Sequence, residues 1–475
     1  MLVVLALVPG AVLFALWRWA ASSAAADEPA PPPTVAPGAP PPTLATPLLS
    51  LRRAPGVLSR DVNLAPFQAA VAEFAATLED PSCVAVAVDG VPVGSVRPDT
   101  PLIPASNQKL LIGDVALEVL GADHRFTTEV RAAGPPVGGL VAGDLYVVGG
   151  GDPLLTSSTY PVANDPNPVM TPTALDALVD ALAAAGVTQI QGGVVGDGSR
   201  YDDEYFAPSW VNDVRGIEAG PYDALLVNDA RVTGDPQRAT NPALAAATEL
   251  TQLLNARGIG VSGAPSEGTA PAGAAVLGSV QSAPMSDIVK EMLSTSDNNT
   301  AELLVKELGF AKGGAGTRDA GIAVMTSTLT SWGLPMAGVV IADGSGLSND
   351  DRATCALLVG LLARHTPTDA FGAGLPVAGV SGTLQDVFND SSLAGKLAAK
   401  TGTLGNAPYN ADPPAVKTLS GYVPLEGGGA IEFSLLLNAS GTLTDQSVYR
   451  PIWDRLAQAL ATYPSGATPA QLAPR

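Results

Sequence analysis

Histidine and cysteine are scarce in this chain, with two residues of each type among 475. The four residues, Cys83, His124, Cys355 and His365, are scattered along the sequence, whereas zinc sites draw on clustered ligands. The sequence therefore predicts neither a metal site nor a cofactor. The two cysteines can form a disulfide in an oxidising compartment, but two buried free thiols fit the sequence equally well.

Basic residues are also few. The chain has 25 lysines and arginines against 45 acidic residues, giving a net charge of −20. Because phosphate binding requires a clustered basic surface, this balance excludes nucleic acid as a partner. Hydrophobic residues make up 46% of the chain and charged residues 15%, which is typical of a globular protein with a substantial core. The length allows two or three domains.

The N-terminal part carries a long uncharged apolar stretch from Leu2 to Trp17, followed by small residues up to Ala26. This pattern is typical of a signal peptide, although the basic residues that usually precede the apolar run are absent. We expect residues 1–26 to be a signal peptide or a membrane anchor, and the protein to be exported to the extracytoplasmic or cell-wall space. Residues 27–63, rich in Pro and Ala, are expected to form a linker.

The rest of the chain alternates between helical and strand patterns. Early elements are a helix at 66–79 and a hairpin formed by Cys83–Val88 and Val91–Val96. Residues 131–285 alternate strands and helices, including a strand at 222–227, which indicates an α/β module. Later residues form helices and a short strand at 339–343. The last part contains three strands, at 394–403, 417–423 and 430–438, and a closing helix at 446–461.

The sequence Pro104-Ala105-Ser106-Asn107-Gln108-Lys109 precedes an apolar helical run. On a helix, Ser106 and Lys109 would lie on one face, one turn apart. A serine hydroxyl needs an adjacent base to become a nucleophile, and a lysine can serve when burial or a nearby cation lowers its pKa. This pair is therefore a candidate nucleophile and general base.

Two later motifs strengthen this interpretation: Ser296-Asp297-Asn298, between predicted helices, and Lys400-Thr401-Gly402-Thr403, on a predicted strand. The order S-x-x-K, S-x-N, K-T-G is the motif set of penicillin-binding proteins and class A β-lactamases. With Leu120-Gly121-Ala122-Asp123-His124-Arg125-Phe126, Gly150-Gly151-Asp152-Pro153 and Asp343-Gly344-Ser345-Gly346-Leu347-Ser348, residues 64–462 resemble the D-alanyl-D-alanine carboxypeptidase/endopeptidase family of class C penicillin-binding proteins, the penicillin-binding protein 4 family.

The resemblance implies an α/β (α+β) fold of the serine penicillin-recognising, β-lactamase/transpeptidase-like type with an inserted α/β domain. We expect the catalytic domain to comprise residues 64–130 and 286–462, interrupted by the inserted domain at 131–285 and followed by a tail at 463–475. The family also carries a nested β domain within the insertion. We expect that domain to be mostly absent here, because residues 233–240 lead directly to a predicted helix.

The implied activity is hydrolysis of D-Ala-D-Ala bonds in peptidoglycan stem peptides, with covalent inhibition by β-lactam antibiotics such as penicillin. The expected catalytic residues are Ser106 as nucleophile, Lys109 as base, Ser296 as proton relay and Asn298 as hydrogen-bonding partner. The expected substrate-binding residues are Lys400 for the terminal carboxylate, Thr401, Gly402 and Thr403. The backbone N–H groups of Ser106 and Thr403 would form the oxyanion hole.

Three alternatives differ from this assignment. A Ser-His-Asp hydrolase is disfavoured because the sequence has no G-x-S-x-G motif. A β-lactamase-like hydrolase would need a deacylating glutamate, which we cannot assign. A catalytically silent penicillin-binding or cell-wall scaffold protein is disfavoured by the intact motifs, and membrane contact would be limited to the N-terminal segment.

Overall fold

The computed structural model describes residues 13–19, 54–160, 171–235, 237–406, 413–467 and 469–472. The chain divides into two compact units, Met1–Ala54 and Pro55–Arg475. In the first unit, residues 13–19 form a short exposed helix, and the rest of the predicted leader and linker up to residue 53 lies outside the described residues. Among the helices described, none combines the length and apolar character needed to cross a membrane.

The second unit is built from helices and strands in mixed order. Its α-helices are α1 (Ala54–Ala75), α2 (Gln108–Leu120), α3 (Asp176–Ala184), α4 (Pro242–Ala256), α5 (Met285–Thr295), α6 (Asn298–Leu308), α7 (Arg318–Ser331), α8 (Cys355–Leu362), α9 (Gln446–Leu460) and α10 (Pro469–Leu472). Its strands are β1 (Cys83–Val88), β2 (Val91–Val96), β3 (Thr127–Ala132), β4 (Leu140–Val141), β5 (Leu145–Val148), β6 (Leu155–Thr156), β7 (Thr173–Ala174), β8 (Gln189–Ile190), β9 (Val194–Asp197), β10 (Gly260–Val261), β11 (Ser266–Glu267), β12 (Ala275–Gln281), β13 (Ala398–Leu404), β14 (Ala415–Pro424) and β15 (Ala430–Ala439).

One antiparallel five-stranded sheet has the order β13-β14-β15-β1-β2. Apolar side chains of α1 and α9 cover one face, and those of α2, α5, α6, α7 and α8 form the core on the other. Because both faces are covered, β14 and β15 are buried along nearly their whole length. The first and last parts of the chain thus share one sheet, with β13 at its edge.

A second five-stranded sheet, of order β11-β9-β5-β3-β12, belongs to the central part of the chain. It packs with α3, α4 and the short parallel strands β10, β8 and β4 around a core of its own. Its first strand begins at Thr127 and its last ends at Gln281, so the sheet starts earlier than the proposed boundary at 131. Between Arg231 and the start of α4, the described residues form a single β-bridge, Arg231 to Arg238.

Both ends of the compact unit extend beyond the predicted limits. Helix α1 begins at Ala54, so residues 54–63, which we assigned to the linker, are helical. The tail assigned to 463–475 is partly packed on this helix, because the rings of Tyr463 and Phe67 lie 5.1 Å apart. The Asn63 side chain also donates to the Ala467 carbonyl at 3.3 Å. The linker assignment followed the Pro/Ala-rich composition, which does not exclude a helix supported by tertiary packing.

The strands predicted at 222–227 and 339–343 are wrong. Residues 222–227 join no sheet. Their buried side chains alternate between two cores: Leu225 and Val227 enter one, whereas Tyr222, Ala224 and Leu226 enter the other. This alternation gives the same sequence pattern as a β-strand. Residues 339–343 form only a single β-bridge, Val340 to Arg352.

Cys83 and Cys355 form a disulfide that closes a separation of 272 residues. Cys83 begins β1 and Cys355 begins α8, and both are fully buried. The sequence allowed either a disulfide or two free thiols. The packing of α8 on the main sheet brings the two cysteines together as a disulfide.

Candidate active site

Ser106 lies on a 3-10 turn, Ala105–Asn107, that leads directly into α2. The turn is fastened to the main sheet by side chains of β14 and β15. The Asn438 side chain makes two hydrogen bonds with the backbone of Ile103. It accepts from the Ile103 N–H and donates to the Ile103 carbonyl, both at 3.0 Å. Thr418 donates to the Pro104 carbonyl at 3.0 Å. The nucleophile candidate is therefore positioned by strands that follow it by more than 300 residues in the chain.

The amine of Lys109 is buried beneath Ser106 and contacts three oxygen atoms. Its Nζ lies 3.0 Å from Ser106 Oγ, 2.7 Å from Asn298 Oδ1 and 2.6 Å from the Ser345 carbonyl oxygen. The amide and carbonyl oxygens can only accept, so each takes one N–H of the amine. In the neutral amine, the remaining lone pair can then accept the proton of the Ser106 hydroxyl.

Burial lowers the pKa of Lys109 to about 8. Four neighbouring carboxyl groups oppose this shift by favouring the charged amine; they belong to Asp343, Glu302, Asp297 and Asp351. Of the two causes that the sequence suggested, burial or a nearby cation, burial is the largest one here. The result is a buried amine that can exchange a proton near neutral pH, as a general base requires.

The turn that carries the Ser345 carbonyl is held by Glu302, which we did not predict as a site residue. Glu302 Oε1 accepts from the backbone N–H groups of Gly344 and Ser345, at 3.1 and 2.8 Å. Glu302 follows Asn298 by one helical turn in α6, so both side chains face the same region. Burial, followed by the charge of Asp343, raises the pKa of Glu302 to about 8.

Ser296 and Asn298 occupy the junction between α5 and α6. Ser296 ends α5 in the left-handed conformation, with φ of 65°, and Asp297 caps α6 by accepting from the Thr300 N–H at 3.2 Å. Such strained residues are held only where the surrounding structure enforces them, often at active sites. This bend lets the Ser296 and Asn298 side chains reach toward β13 and Lys109 respectively.

Lys400, on β13, is fully buried and donates to Ser296 Oγ at 2.9 Å and to the Thr401 carbonyl at 2.7 Å. Burial, and then the positive charges of Lys109 and Lys417, hold the pKa of Lys400 well below its usual value. Since Ser296 Oγ accepts from Lys400, the Ser296 hydroxyl keeps its own proton for another partner. The structure thus brings all three motifs together.

The two threonines of β13 have partners of their own. Thr401 donates to the Thr383 hydroxyl at 2.9 Å, and Lys417 donates to Thr403 Oγ1 at 2.8 Å. Lys417 lies opposite Thr403 on β14, with its amine 4.0 Å from the centroid of the Tyr449 ring. We did not predict Lys417 as a neighbour of the K-T-G motif, because only the pairing of β13 with β14 places it beside Thr403.

Gly402 is required by close packing within the protein. A Cβ at this position would lie 2.9 Å from the Ser106 backbone nitrogen and would also meet the Thr418 hydroxyl. We had named Gly402 among the expected substrate-binding residues. In the structure it allows β13 to approach the nucleophile turn, which sets the distance between Thr403 and Ser106.

A cleft of about 390 Å³ opens above these groups. The described residues that line it are Ser106, Tyr160, Glu218, Asp229, Arg238, Glu291, Thr295, Ser296, Asp297, Asn298, Asn299, Leu347, Thr383, Thr401, Gly402 and Thr403. Neither histidine is in this set. His365 lies against Asp114 and Asp369, and His124 packs on Phe126. Within the described ranges, no group of three His, Cys, Asp or Glu side chains could hold a metal ion.

Comparison with known proteins identifies the family of this chain. The family model described as the D-Ala-D-Ala carboxypeptidase 3 (S13) family matches residues 70–237 and 233–463. A D-alanyl-D-alanine carboxypeptidase of Actinomadura sp. is 30% identical, covering 81% of this chain and 83% of the relative. The carboxypeptidase DacB of Mycolicibacterium smegmatis is 29% identical, covering 92% and 91%.

Among solved structures, penicillin-binding protein 4 of Haemophilus influenzae superposes with a TM-score of 0.67. It covers 83% of this chain and 98% of its own, at 20% identity, so it supports the fold. The mixed helix-and-sheet fold and the family resemblance predicted from the three motifs are thereby confirmed. The chain belongs to the D-Ala-D-Ala carboxypeptidase 3 (S13) family and is a serine peptidase of the class C penicillin-binding protein group.

Proposed function

We propose that this protein hydrolyses D-Ala-D-Ala bonds of peptidoglycan stem peptides through an acyl-enzyme on Ser106. The observation that carries the proposal is the placement of Lys109 Nζ, 3.0 Å from Ser106 Oγ, with its other two contacts taken by carbonyl oxygens. In this arrangement a neutral amine has one function left, which is to accept the serine proton.

The reaction would proceed in two stages. Ser106 Oγ attacks the carbonyl carbon between the two D-alanines while its proton moves to Lys109 Nζ, and the backbone N–H groups of Ser106 and Thr403 stabilise the oxyanion. The C–N bond then breaks, and the proton that Lys109 took from Ser106 passes through the Ser296 hydroxyl to the leaving amine, so Lys109 is neutral again. In the second stage, Lys109 takes a proton from the water that attacks the ester carbonyl, and this proton moves to Ser106 Oγ as the ester C–O bond breaks. Each oxyanion donor contributes about 3 kcal/mol to transition-state stabilisation.

Lys400 would recognise the free carboxylate of the terminal D-alanine. An empty site disfavours a charge on Lys400 because the amine is buried next to other amines. A bound carboxylate reverses this effect, since an opposite charge nearby favours the ammonium form. Thr401 and Thr403 add hydroxyl groups along the same strand. Substrates with a free terminal carboxylate should therefore bind with uptake of a proton by Lys400, when the pH lies above the pKa of Lys400 in the empty site.

The same site would accept β-lactam antibiotics as acylating inhibitors. The protein would act outside the cytoplasm, and its N-terminal segment would serve for export or for attachment to a membrane.

Carboxypeptidase action on terminal D-alanine agrees with the names of the relatives. Mass spectrometry of muropeptides after incubation would separate carboxypeptidase from endopeptidase action. A silent scaffold would leave both muropeptide pools unchanged, and a β-lactamase-like hydrolase would turn over penicillin instead.

The test compares an acyl-D-Ala-D-Ala peptide with the same peptide carrying a C-terminal amide. Lys400→Gln keeps a donor but removes the charge, and a charge-assisted hydrogen bond contributes about 1.5–3 kcal/mol. We expect kcat/KM for the free acid to fall roughly ten- to a hundredfold, and far less for the amide. Lys396→Gln, an exposed lysine of the same segment, is the matched control. Equal losses on both peptides would contradict carboxylate recognition, and activity in Ser106→Ala would overturn the mechanism.

A further inference from the structure

The carboxamide of Asn298 has two faces with different partners. Its oxygen accepts from Lys109 Nζ at 2.7 Å, and its nitrogen donates to the Glu218 backbone carbonyl at 3.0 Å. If the amide were reversed, its oxygen would face the Glu218 carbonyl and its N–H₂ group would face the amine. Two acceptors cannot hydrogen-bond to each other. The Glu218 carbonyl therefore fixes which end of Asn298 meets Lys109.

Glu218 belongs to the central part of the chain, and its position depends on the residue next to Asn298. Asn299 Oδ1 accepts from the Gly220 N–H at 2.7 Å, and its Nδ2 donates to Asp229 Oδ1 at 2.7 Å. The Asn299 side chain is 3% exposed. Both of its polar atoms are thus used to hold two segments of the central part against the start of α6.

The segment that contains Asp229 is held in an unfavourable conformation. Asn228, Asp229 and Ala230 all have positive φ, at 52°, 52° and 60°. Such residues are energetically unfavourable and persist only when their surroundings enforce them. Here the second oxygen of Asp229 accepts from the Tyr160 hydroxyl at 2.6 Å. The hydrogen bond from Asn299 is a further contact that keeps this segment at the cleft wall.

We propose that Asn299 is a positioning residue that couples residues 218–229 to catalysis, because it places the Glu218 carbonyl that orients Asn298 toward Lys109. This inference rests on the proposed roles of Ser106 and Lys109. It assigns the inserted part of the chain a direct share in the geometry of the general base. Asn299 itself does not touch the reacting atoms, so its effect must pass through Asn298.

This coupling has a consequence for the pH dependence of acylation. An oxygen that accepts from Lys109 stabilises the ammonium form and so raises its pKa. Loss of the fixed orientation should lower the pKa of Lys109 further and move the acidic limb of the pH–rate profile to lower pH. The charged groups that also act on Lys109 are the carboxyl groups of Asp343, Glu302, Asp297 and Asp351. The substitution leaves these groups in the chain, so the shift reports on the amide.

The test measures the rate of acylation of the full chain by a fluorescent penicillin between pH 6 and 10. Asn299→Ala should slow acylation about ten- to a hundredfold, as expected for a misplaced catalytic group. In an Asn298→Ala background, the same substitution should cause no further loss, because its effect passes through Asn298. Asn63→Ala removes another buried asparagine that anchors a loop, through contacts with Ser59 and Ala467. This control should keep the wild-type rate and profile.

If Asn299→Ala does not fold, Asn299→Asp preserves the volume and the acceptor for Gly220 but opposes Asp229 with a second negative charge. It should lose activity in the wild-type background and not in the Asn298→Ala background. Equal losses in both backgrounds, or an unchanged rate, would overturn the coupling. A wild-type chain that penicillin does not label at Ser106 would instead overturn the proposed function, and this inference with it.

Discussion

At the scale of single residues, two fully buried lysines lie beneath one cleft. Lys109 contacts Ser106 and Asn298, and Lys400 contacts Ser296. Burial disfavours a charge on both amines, and the charge of Lys109 further disfavours a charge on Lys400. Lys109 has carboxyl groups nearby that partly restore its basicity, whereas the charged neighbours that act on Lys400 are lysines. This asymmetry suits Lys109 to proton transfer and Lys400 to binding an anion.

Replacement of Lys109 tests its role as base. Lys109→Ala should lower the rate of acylation by penicillin by about 10²- to 10⁴-fold, the usual contribution of a general base. Lys109→Arg should not restore the rate, because a guanidinium stays protonated. Stopped-flow or quenched labelling gives these rates. Acylation near the wild-type rate in either variant would remove Lys109 from the mechanism.

The pH dependence of acylation follows from the lowered pKa of Lys109. Only the neutral amine can accept the serine proton, and with a pKa of about 8 about a tenth of the molecules carry it at pH 7. The rate should therefore rise with pH and level off above about pH 8.

Lys400→Gln provides the check on this pH profile. The largest influences on the pKa of Lys109 are burial and four carboxyl groups. This variant removes none of them, so the rising limb should keep its position on the pH axis. A profile that is flat from pH 6 to 9.5, in a chain whose circular dichroism is constant, would contradict the assignment.

Three short motifs carry the side-chain chemistry of the candidate site residues within a few positions each, so the sequence could predict these residues. It could not identify the Ser345 carbonyl or the Glu218 carbonyl, since any residue type supplies a backbone oxygen. Lys417 escaped notice for a different reason: only the register between β13 and β14 places it beside Thr403. Side-chain identity is read locally, whereas these partners are selected by the tertiary structure.

At the scale of elements, the main sheet determines where the nucleophile lies. The hairpin of β1 and β2, the helix α9 and the strands β14 and β15 were predicted close to their observed bounds because their periodicity and turn residues are clear. The failure at 222–227 shows the limit of such patterns. Alternating burial arises there from two separate cores, and no ladder of backbone hydrogen bonds is needed to produce it.

The disulfide links two of these elements, β1 and α8, so its removal should destabilise the main sheet. Replacing both Cys83 and Cys355 by alanine should reduce the free energy of unfolding by about 2–4 kcal/mol. Denaturant titration under non-reducing conditions measures this change. Thiol titration of the unfolded wild-type chain is the companion measurement. We expect it to detect no free thiols, and two reactive thiols per chain would contradict the bridge.

At the scale of the whole molecule, the central part of the chain contacts the back of the site at several points besides Asn299. Arg200 and Tyr201 both hydrogen-bond to the buried carboxylate of Glu307 on α6, at 2.8–2.9 Å. The indole of Trp210 donates to Asp343 Oδ2 at 2.7 Å. We therefore propose that the insertion is a supporting part of the active site, with domain boundaries near Thr127 and Gln281.

The central claim is that Ser106 becomes acylated in a site assembled by all three motifs. Intact-mass measurement after incubation with benzylpenicillin tests it most directly. The account predicts a single, slowly lost adduct per chain, located on the peptide that contains Ser106 and absent from Ser106→Ala. An unmodified wild-type chain, or an adduct that persists in Ser106→Ala, would contradict it.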